Sequence, residues 1–123
     1  VNLITKYYHD LSYSGAQILA AYMDVDGGGY YIYSTATGNK YHMVNDYGQG
    51  KPVTDYAMIV FHYDSSDGRY VLIVAGLSGY STYEAAKWLS NKPSMSGRAI
   101  ILRITDNEGD GTIENVEVIE TVP

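Results

Sequence analysis

Residues 106–117, with the sequence DNEGDGTIENVE, have the residue types and the spacing of a calcium-binding loop. Calcium takes about six to eight oxygen ligands, and a short acidic segment can surround the ion only where a glycine allows a sharp bend. Oxygen-bearing side chains fall at the first, third, fifth, ninth and twelfth places, and Gly111 is at the sixth. The predicted ligands are Asp106, Glu108, Asp110, Thr112 through its carbonyl, Glu114 and Glu117.

The sequence on either side of this loop differs from that of an EF-hand, in which helices flank the calcium ion. Residues Arg98–Thr105 and Glu114–Thr121 are rich in β-branched residues and predict strands instead. Glu108 at the third place is also less usual than Asp. An ordinary acidic hairpin loop is therefore the alternative interpretation, and the sequence leaves both open.

A second candidate for chemistry is Ser78, which follows an apolar run and precedes a helical segment. This order is that of the hydrolase nucleophile elbow, G-x-S-x-G, but Tyr80 stands where the second glycine is required. The three histidines, His9, His42 and His62, all precede Ser78, whereas hydrolases of that fold carry theirs after it. We therefore predict no catalytic residue and no cofactor other than calcium, and attribute the glycines of this turn to close packing of strand and helix.

A third feature is the tyrosine-rich segment that contains Tyr30, Tyr31 and Tyr33. Exposed tyrosines provide rigid stacking platforms at small entropic cost. They support an alternative function, that of an extracellular module that binds a small molecule or a glycan. A hydrolase acting through Ser78 is the least favoured function of the three.

The composition excludes several classes of protein. With 14 acidic and 8 basic residues the net charge is −6 and no basic stripe is present, so nucleic acid is not expected as a partner. No apolar run approaches the roughly 20 residues of a membrane span. The absence of cysteine excludes a thiol enzyme and Cys-ligated zinc. The 14 tyrosines and 13 glycines, with only 18% charged residues, suit an extracellular surface.

Residues 1–123 have the length of a single compact domain with a core of its own. The chain begins at Val1, without a Met or a signal peptide, as in a mature chain or a fragment of a larger extracellular protein.

The segment Tyr70–Asn91 organises the predicted fold. Its apolar run Val71–Ala75 is typical of a strand buried on both faces. A glycine turn follows, and then a helix in which Ser81 precedes Glu84 with the spacing of a capping box. An earlier helix is predicted over Ser14–Met23, where a second capping-box spacing leads into alanine and leucine.

The remaining strands are predicted from β-branched and aromatic runs bounded by turn residues. They are Asn2–Tyr8, Tyr30–Thr35, Lys40–Asn45, Tyr56–Tyr63, Arg98–Thr105 and Glu114–Thr121, the last of these at an edge. Hairpins join neighbouring strands, and the helix in Tyr70–Asn91 forms a β–α–β crossover, whose strands are normally parallel. The predicted fold class is α/β with a mixed sheet, about seven strands and two helices.

Three groups of residues in the last part of the chain resemble archaeal surface-layer (S-layer) proteins: Val74-Ala75-Gly76, Ser81-Thr82 with Ala85-Ala86, and Asp106–Val118. In that family a strand ending in V-x-V-A-G precedes an alanine-bearing helix, and an acidic D-x-D-G-D-G-x-I segment follows a later strand. The resemblance implies a non-enzymatic cell-surface domain that self-associates, or contacts other domains of the same envelope protein, with divalent cations as stabilising ligands.

Overall fold

The computed structural model describes residues 19–65, 68–91 and 97–123, and in these ranges it contains seven strands and one helix. In chain order they are β1 (Ala21–Asp26), β2 (Gly29–Ser34), β3 (Lys40–His42), β4 (Val53–Asp64), β5 (Arg69–Gly76), α1 (Gly79–Ser90), β6 (Ala99–Asp106) and β7 (Asn115–Val122). The strands form one sheet with the order β1-β2-β3 and another with the order β5-β4-β6-β7. Every pair of named strands is antiparallel.

The predicted α/β class with a mixed sheet is therefore wrong: the fold is mostly β, with two antiparallel sheets. Helix α1 does connect two strands that run in the same direction, β5 and β6, but β4 lies between them and pairs antiparallel with both. The crossover consequently creates no parallel pair. A sequence indicates which strands follow one another, whereas the order of strands in a sheet depends on long-range pairing.

The helix predicted over Ser14–Met23 is also wrong wherever the structure describes it. The end of that segment belongs to β1, which pairs with β2 through a tight glycine turn. The Gly28 amide donates to the Asp26 carboxylate at 2.8 Å and closes this turn. Helix propensity is a weak preference, and pairing with β2 overrides it. The earlier part of the predicted helix and the strand predicted over Asn2–Tyr8 lie outside the described residues.

The four-stranded sheet carries a hydrophobic core on each face. The core shared with the three-stranded sheet contains Ala21, Ile32, Met58, Val60, Ile73, Ala99 and Ile101, and the core shared with α1 contains Ala57, Ile59, Ala85, Ile100, Leu102 and Ile104. Successive residues of β4 and β6 thus face opposite cores, because side chains alternate along a strand. Both strands are buried on two faces, which accounts for their continuous apolar sequences.

Strand β5 is not buried on both faces, contrary to the prediction for Val71–Ala75. It forms an edge of the four-stranded sheet, and Leu72 is 52% exposed. An apolar run indicates a strand, but the neighbours of that strand are decided by pairing. The predicted edge position of the last strand is confirmed by β7, and the β2–β3 and β4–β5 hairpins are confirmed as well.

Helix α1 is confirmed, but its N-cap is Ser78 and not Ser81. The Ser78 hydroxyl accepts the Ser81 amide and the Ser81 hydroxyl accepts the Ser78 amide, so these two serines form the capping box in place of Ser81 and Glu84. A Cβ at Gly76 would collide with the Ser81 hydroxyl, which confirms close packing at the glycine turn. In the described ranges no helix has the length and hydrophobicity needed to cross a bilayer.

Candidate functional site

The acidic loop connects β6 to β7 and is organised around Asp106, the last residue of β6. Asp106 is fully buried, and both of its carboxylate oxygens accept backbone amides. Oδ1 accepts the amides of Glu108 at 3.2 Å and Gly109 at 2.8 Å, and Oδ2 accepts that of Gly111 at 2.7 Å. The loop therefore folds back onto the carboxylate with which it begins.

Two glycines provide the bends of this loop. Gly109 and Gly111 have φ values of +69° and +91°, in the left-handed region that favours glycine. The Gly109 carbonyl accepts the Gly48 amide at 2.7 Å, and a Cβ at Gly109 would collide with the Lys51 carbonyl. A Cβ at Gly111 would lie 2.7 Å from the ring of Tyr80 on α1. The sharp bend predicted for the sixth place of the loop is confirmed.

Three of the six predicted ligands converge. Asp106, Glu108 and Glu114 each offer one carboxylate oxygen, and these oxygens lie within 4.8 Å of one another. Asp106 is buried, whereas Glu108 and Glu114 are exposed to solvent. The Glu114 carboxylate also accepts the amide of Asn107 at 2.9 Å, which ties the far side of the loop to its beginning. Hard carboxylate oxygens grouped in this way are the ligands that calcium and magnesium prefer.

The proximity of these carboxylates raises the pKa of Glu108 above its ordinary value. The largest cause is a hydrogen bond to Glu114, which requires one of the two carboxyl groups to be protonated. Loss of hydration and the negative charges of Glu114 and Asp110 act in the same direction. Without a cation, the loop therefore contains carboxylates that repel one another.

Asp110 and Glu117 do not belong to this group, and Thr112 is predicted as a ligand through its carbonyl. The carboxylate of Asp110 accepts a hydrogen bond from the amide of Thr112 at 2.9 Å within the loop. Glu117 lies on β7 opposite Arg103, and its Oε1 accepts both Nε and Nη2 of that arginine at 2.7 Å. This pairing raises the pKa of Arg103. Glu117 thus serves the β6–β7 pairing, and the acidic cluster consists of the three converging residues.

A second polar cluster, which the sequence analysis missed, lies around Asp55 on β4. Asp55 is fully buried, and its Oδ2 accepts the hydroxyls of Tyr47 at 2.8 Å and Ser78 at 2.5 Å. Its Oδ1 accepts the amide of Tyr56 at 2.7 Å. Burial and the bond to Asp55 raise the pKa of Tyr47, so that its hydroxyl stays protonated and donates. The one available signal was an acidic residue within the apolar segment of β4.

The hydroxyl of Ser78 is hydrogen bonded within the fold. It donates to Asp55 and accepts the Ser81 amide, as the N-cap of α1 does. His42 contacts Asp26, with Nε2 2.8 Å from the carboxylate, and His62 lies on β4 opposite Val71. His9 lies outside the described residues.

A cavity of about 470 Å³ is lined by residues of the start of α1 and of the acidic loop. Its walls come from the loop before β4, from the first turn of α1 and from the acidic loop; they include Tyr47, Ser78, Tyr80, Tyr83, Glu84 and Ile113. The rings of Tyr47 and Tyr80 are in contact, with centroids 4.3 Å apart. The Asp55 cluster lies at one wall of this cavity, because Tyr47 and Ser78 belong to both.

The tyrosines proposed as a platform from the sequence do not form a single surface. Side chains alternate along a strand, so Tyr30 and Tyr31 point to opposite faces of β2. Tyr30 is 69% exposed, but Tyr31 is 7% exposed and has Lys40 Nζ 4.8 Å from its ring centroid. Tyr33 packs against Tyr22 with centroids 5.1 Å apart. Tyrosines do line a cavity beside the start of α1, where Tyr47, Tyr80 and Tyr83 contribute to its walls.

Comparison with known proteins assigns no function to the acidic loop or to the cavity beside α1. The likeness to surface-layer proteins stays a prediction from short motifs. No protein-family model matches the sequence, and no curated protein and no solved structure is significantly similar to it.

Proposed function

We propose that this chain is a non-enzymatic, extracellular structural domain whose acidic loop binds calcium. The observation that carries the proposal is the convergence of carboxylate oxygens from Asp106, Glu108 and Glu114 to within 4.8 Å of one another. In this role calcium replaces repulsion between carboxylates with attraction, and so stabilises the connection between β6 and β7.

Calcium is favoured over other metals by the donor set. The three converging side chains are all carboxylates, and calcium accepts irregular sets of oxygen ligands at about 2.3–2.6 Å that include backbone carbonyls and water. Magnesium demands a near-ideal octahedron and gives up its waters reluctantly. Zinc is favoured by imidazole and thiolate ligands, neither of which occurs in the cluster.

The affinity is expected to be low. A carboxylate has about four lone-pair sites, and three of those on Asp106 already accept backbone amides. Asp106 therefore contributes one oxygen at most, and Glu108, Glu114, carbonyls and water supply the rest. A dissociation constant of about 10⁻⁴–10⁻³ M, as in extracellular calcium modules, is in keeping with this set.

The structural role rests on the resemblance to surface-layer proteins and on the low charge and high tyrosine content of the chain. In this role the domain self-associates or contacts other domains of the same envelope protein. The alternative of a serine hydrolase has less support, because the Ser78 hydroxyl caps α1 and donates to Asp55.

Thermal unfolding with and without calcium tests the proposal. A ligand that binds only the folded state raises the melting temperature by mass action, so millimolar calcium should raise Tm relative to the metal-free protein. Glu114→Gln should abolish most of this increment. The matched control is Glu117→Gln, which removes a carboxylate of the predicted loop that pairs with Arg103, and it should retain the increment.

Two results would overturn the calcium site. One is the absence of any change in Tm up to saturating calcium. The other is an equal increment in the Glu114→Gln protein and the unmodified protein, since that would locate the bound ion elsewhere. Loss of the increment in Glu117→Gln as well as in Glu114→Gln would support the twelve-place loop in place of the three-residue cluster.

A further inference from the structure

The cavity beside α1 has the volume and the aromatic lining of a ligand-binding pocket. At about 470 Å³ it falls within the range of small-ligand pockets, roughly 300–1,000 Å³. Tyr80 and Tyr83 present 47% and 66% of their surface to solvent, and both belong to its walls. Large aromatic faces at a concave surface are typical of ligand sites, since each ring gives contact area at small entropic cost.

Two of the tyrosines that line the cavity, Tyr47 and Tyr80, are packed against other groups of the fold. The Tyr47 hydroxyl is anchored on the buried Asp55 carboxylate, and the Tyr47 ring contacts that of Tyr80. Tyr80 in turn lies against Gly111, where a Cβ would approach its ring to 2.7 Å. A site whose side chains are already ordered spends less of its binding free energy on ordering them.

The cavity also has hydrogen-bonding groups of both kinds. The amides of Gly79 and Tyr80 are the first two of α1, and they donate to no acceptor within the described ranges. On the next turn, the half-buried carboxylate of Glu84 accepts no hydrogen bond from the described residues and provides acceptors. Donors and acceptors therefore lie on one aromatic wall.

The charge at the cavity selects among ligand classes. Among the described residues, its lining contains Glu84 and no Lys, Arg or His, which disfavours an anion. The exposed amides and the partial positive charge at the start of α1 disfavour a cation at the same place. A neutral ligand with many hydroxyl groups and one apolar face satisfies the donors, the acceptors and the aromatic rings together.

We propose that this cavity binds a pyranose ring of a neutral saccharide. The C–H face of the sugar lies against the tyrosine rings, its hydroxyls donate to Glu84, and a hydroxyl oxygen accepts from the amides of Gly79 and Tyr80. The proposal adds a ligand class to the structural domain. Gly111 and Ile113 of the acidic loop line the cavity, but the three converging carboxylate residues do not, so calcium binding and sugar binding can be measured separately.

Heteronuclear NMR titration of the whole chain tests the site. The probes are the methyl pyranosides of glucose, galactose and mannose, and N-acetylglucosamine, with tetramethylammonium and inorganic phosphate as charged comparisons. At least one saccharide should shift the amide signals of Gly79, Tyr80 and Gly111 in a saturable way, with millimolar affinity. The absence of saturable shifts with all four sugars, or stronger binding of either charged probe, would overturn the proposal.

Variants distinguish the cavity from a surface that binds sugars weakly elsewhere. Tyr83→Ala removes an exposed ring and should weaken binding by about threefold to tenfold, the range expected for one aromatic contact. Glu84→Gln should weaken it less. The control is Tyr30→Ala, which removes an equally exposed tyrosine from β2 and should leave the affinity unchanged. Equal affinities in the Tyr83→Ala and unmodified proteins would contradict the assignment.

The titration is run in calcium and again in a chelator, so that the two proposals fail separately. Sugar binding that persists in the chelator, with no effect of calcium on Tm, overturns the calcium site alone. A calcium-dependent Tm with no sugar binding in either condition overturns the saccharide site alone.

Discussion

Asp106 and Asp55 are both fully buried, and each carboxylate accepts three hydrogen bonds, but the donors come from different parts of the chain. The donors to Asp106 are backbone amides two, three and five residues later. The donors to Asp55 include the side chains of Tyr47, eight residues earlier, and Ser78, twenty-three residues later. Asp106 therefore organises a single loop, whereas Asp55 joins three segments that only the fold brings together.

This difference determines how each site depends on the rest of the protein. The three hydrogen bonds of the Asp106 carboxylate are all made within one loop, so we expect that loop to form once β6 and β7 are paired. The Asp55 cluster requires the loop before β4, β4 itself and the start of α1 to be in place at once. Loss of Asp55 should accordingly cost more than loss of Asp106.

The largest effect is expected for Asp55→Ala. The substitution leaves the hydroxyls of Tyr47 and Ser78 and the amide of Tyr56 without their acceptor, and we expect the free energy of unfolding to fall by about 3–4 kcal/mol. Urea denaturation measures the change. Asp55→Asn, which retains an acceptor, should cost less. A loss below about 1 kcal/mol in Asp55→Ala would show that the Asp55 cluster contributes little to the stability of the fold.

Gly109→Ala should be nearly as severe. The substitution combines a left-handed backbone with a collision against the Lys51 carbonyl, and we expect a loss of about 3 kcal/mol. Gly50→Ala is a matched control, since its φ of +67° is nearly that of Gly109 but a Cβ there meets no atom within 4 Å. It should cost about 1 kcal/mol. Equal losses of unfolding free energy in the two variants would mean that the contact between Gly109 and the Lys51 carbonyl does not add to the cost.

Asp106→Ala should cost about 2 kcal/mol, less than Asp55→Ala, because two of its three donors, the amides of Glu108 and Gly111, are only partly buried and can be hydrated. Amide hydrogen exchange provides the sharper measurement. Protection should fall at Gly109 and Gly111 while the Tyr56 amide, which donates to Asp55, keeps its protection. Simultaneous loss at all three amides would remove the distinction between a local and a long-range cluster.

The smallest effect is a pH dependence that comes from Glu108. Its folded-state pKa is raised above the ordinary value of 4.5, so the folded protein binds more protons than the unfolded chain as the pH rises from that value to the raised pKa. Stability of the metal-free protein should therefore decline across this window, and calcium should reverse the decline.

Melting temperatures across the acidic range measure this effect. Glu114→Gln removes the largest cause of the raised pKa and should flatten the profile. Glu117→Gln lies outside the cluster and should leave the profile as it is. A decline of the same size in all three proteins would mean that other carboxylates produce it.

Local features of this protein could be predicted from the sequence because they depend on residues close together in the chain. They include the helix that follows β5, the β2–β3 and β4–β5 hairpins, and the bend at Gly111. In the acidic loop, the spacing of the carboxylates was sufficient to select Asp106, Glu108 and Glu114. It also selected Glu117, because spacing alone does not show that β7 turns this residue toward Arg103.

The remaining features were decided by tertiary structure. The four-stranded sheet is antiparallel throughout because β4 lies between β5 and β6. Residues Ala21–Asp26 form a strand because they pair with β2. The Asp55 cluster and the tyrosine cavity are formed by segments far apart in sequence, so no local sequence pattern predicts them. Short-range hydrogen bonds and backbone preferences act within a few residues, whereas strand order and cavity walls depend on which distant surfaces are buried together.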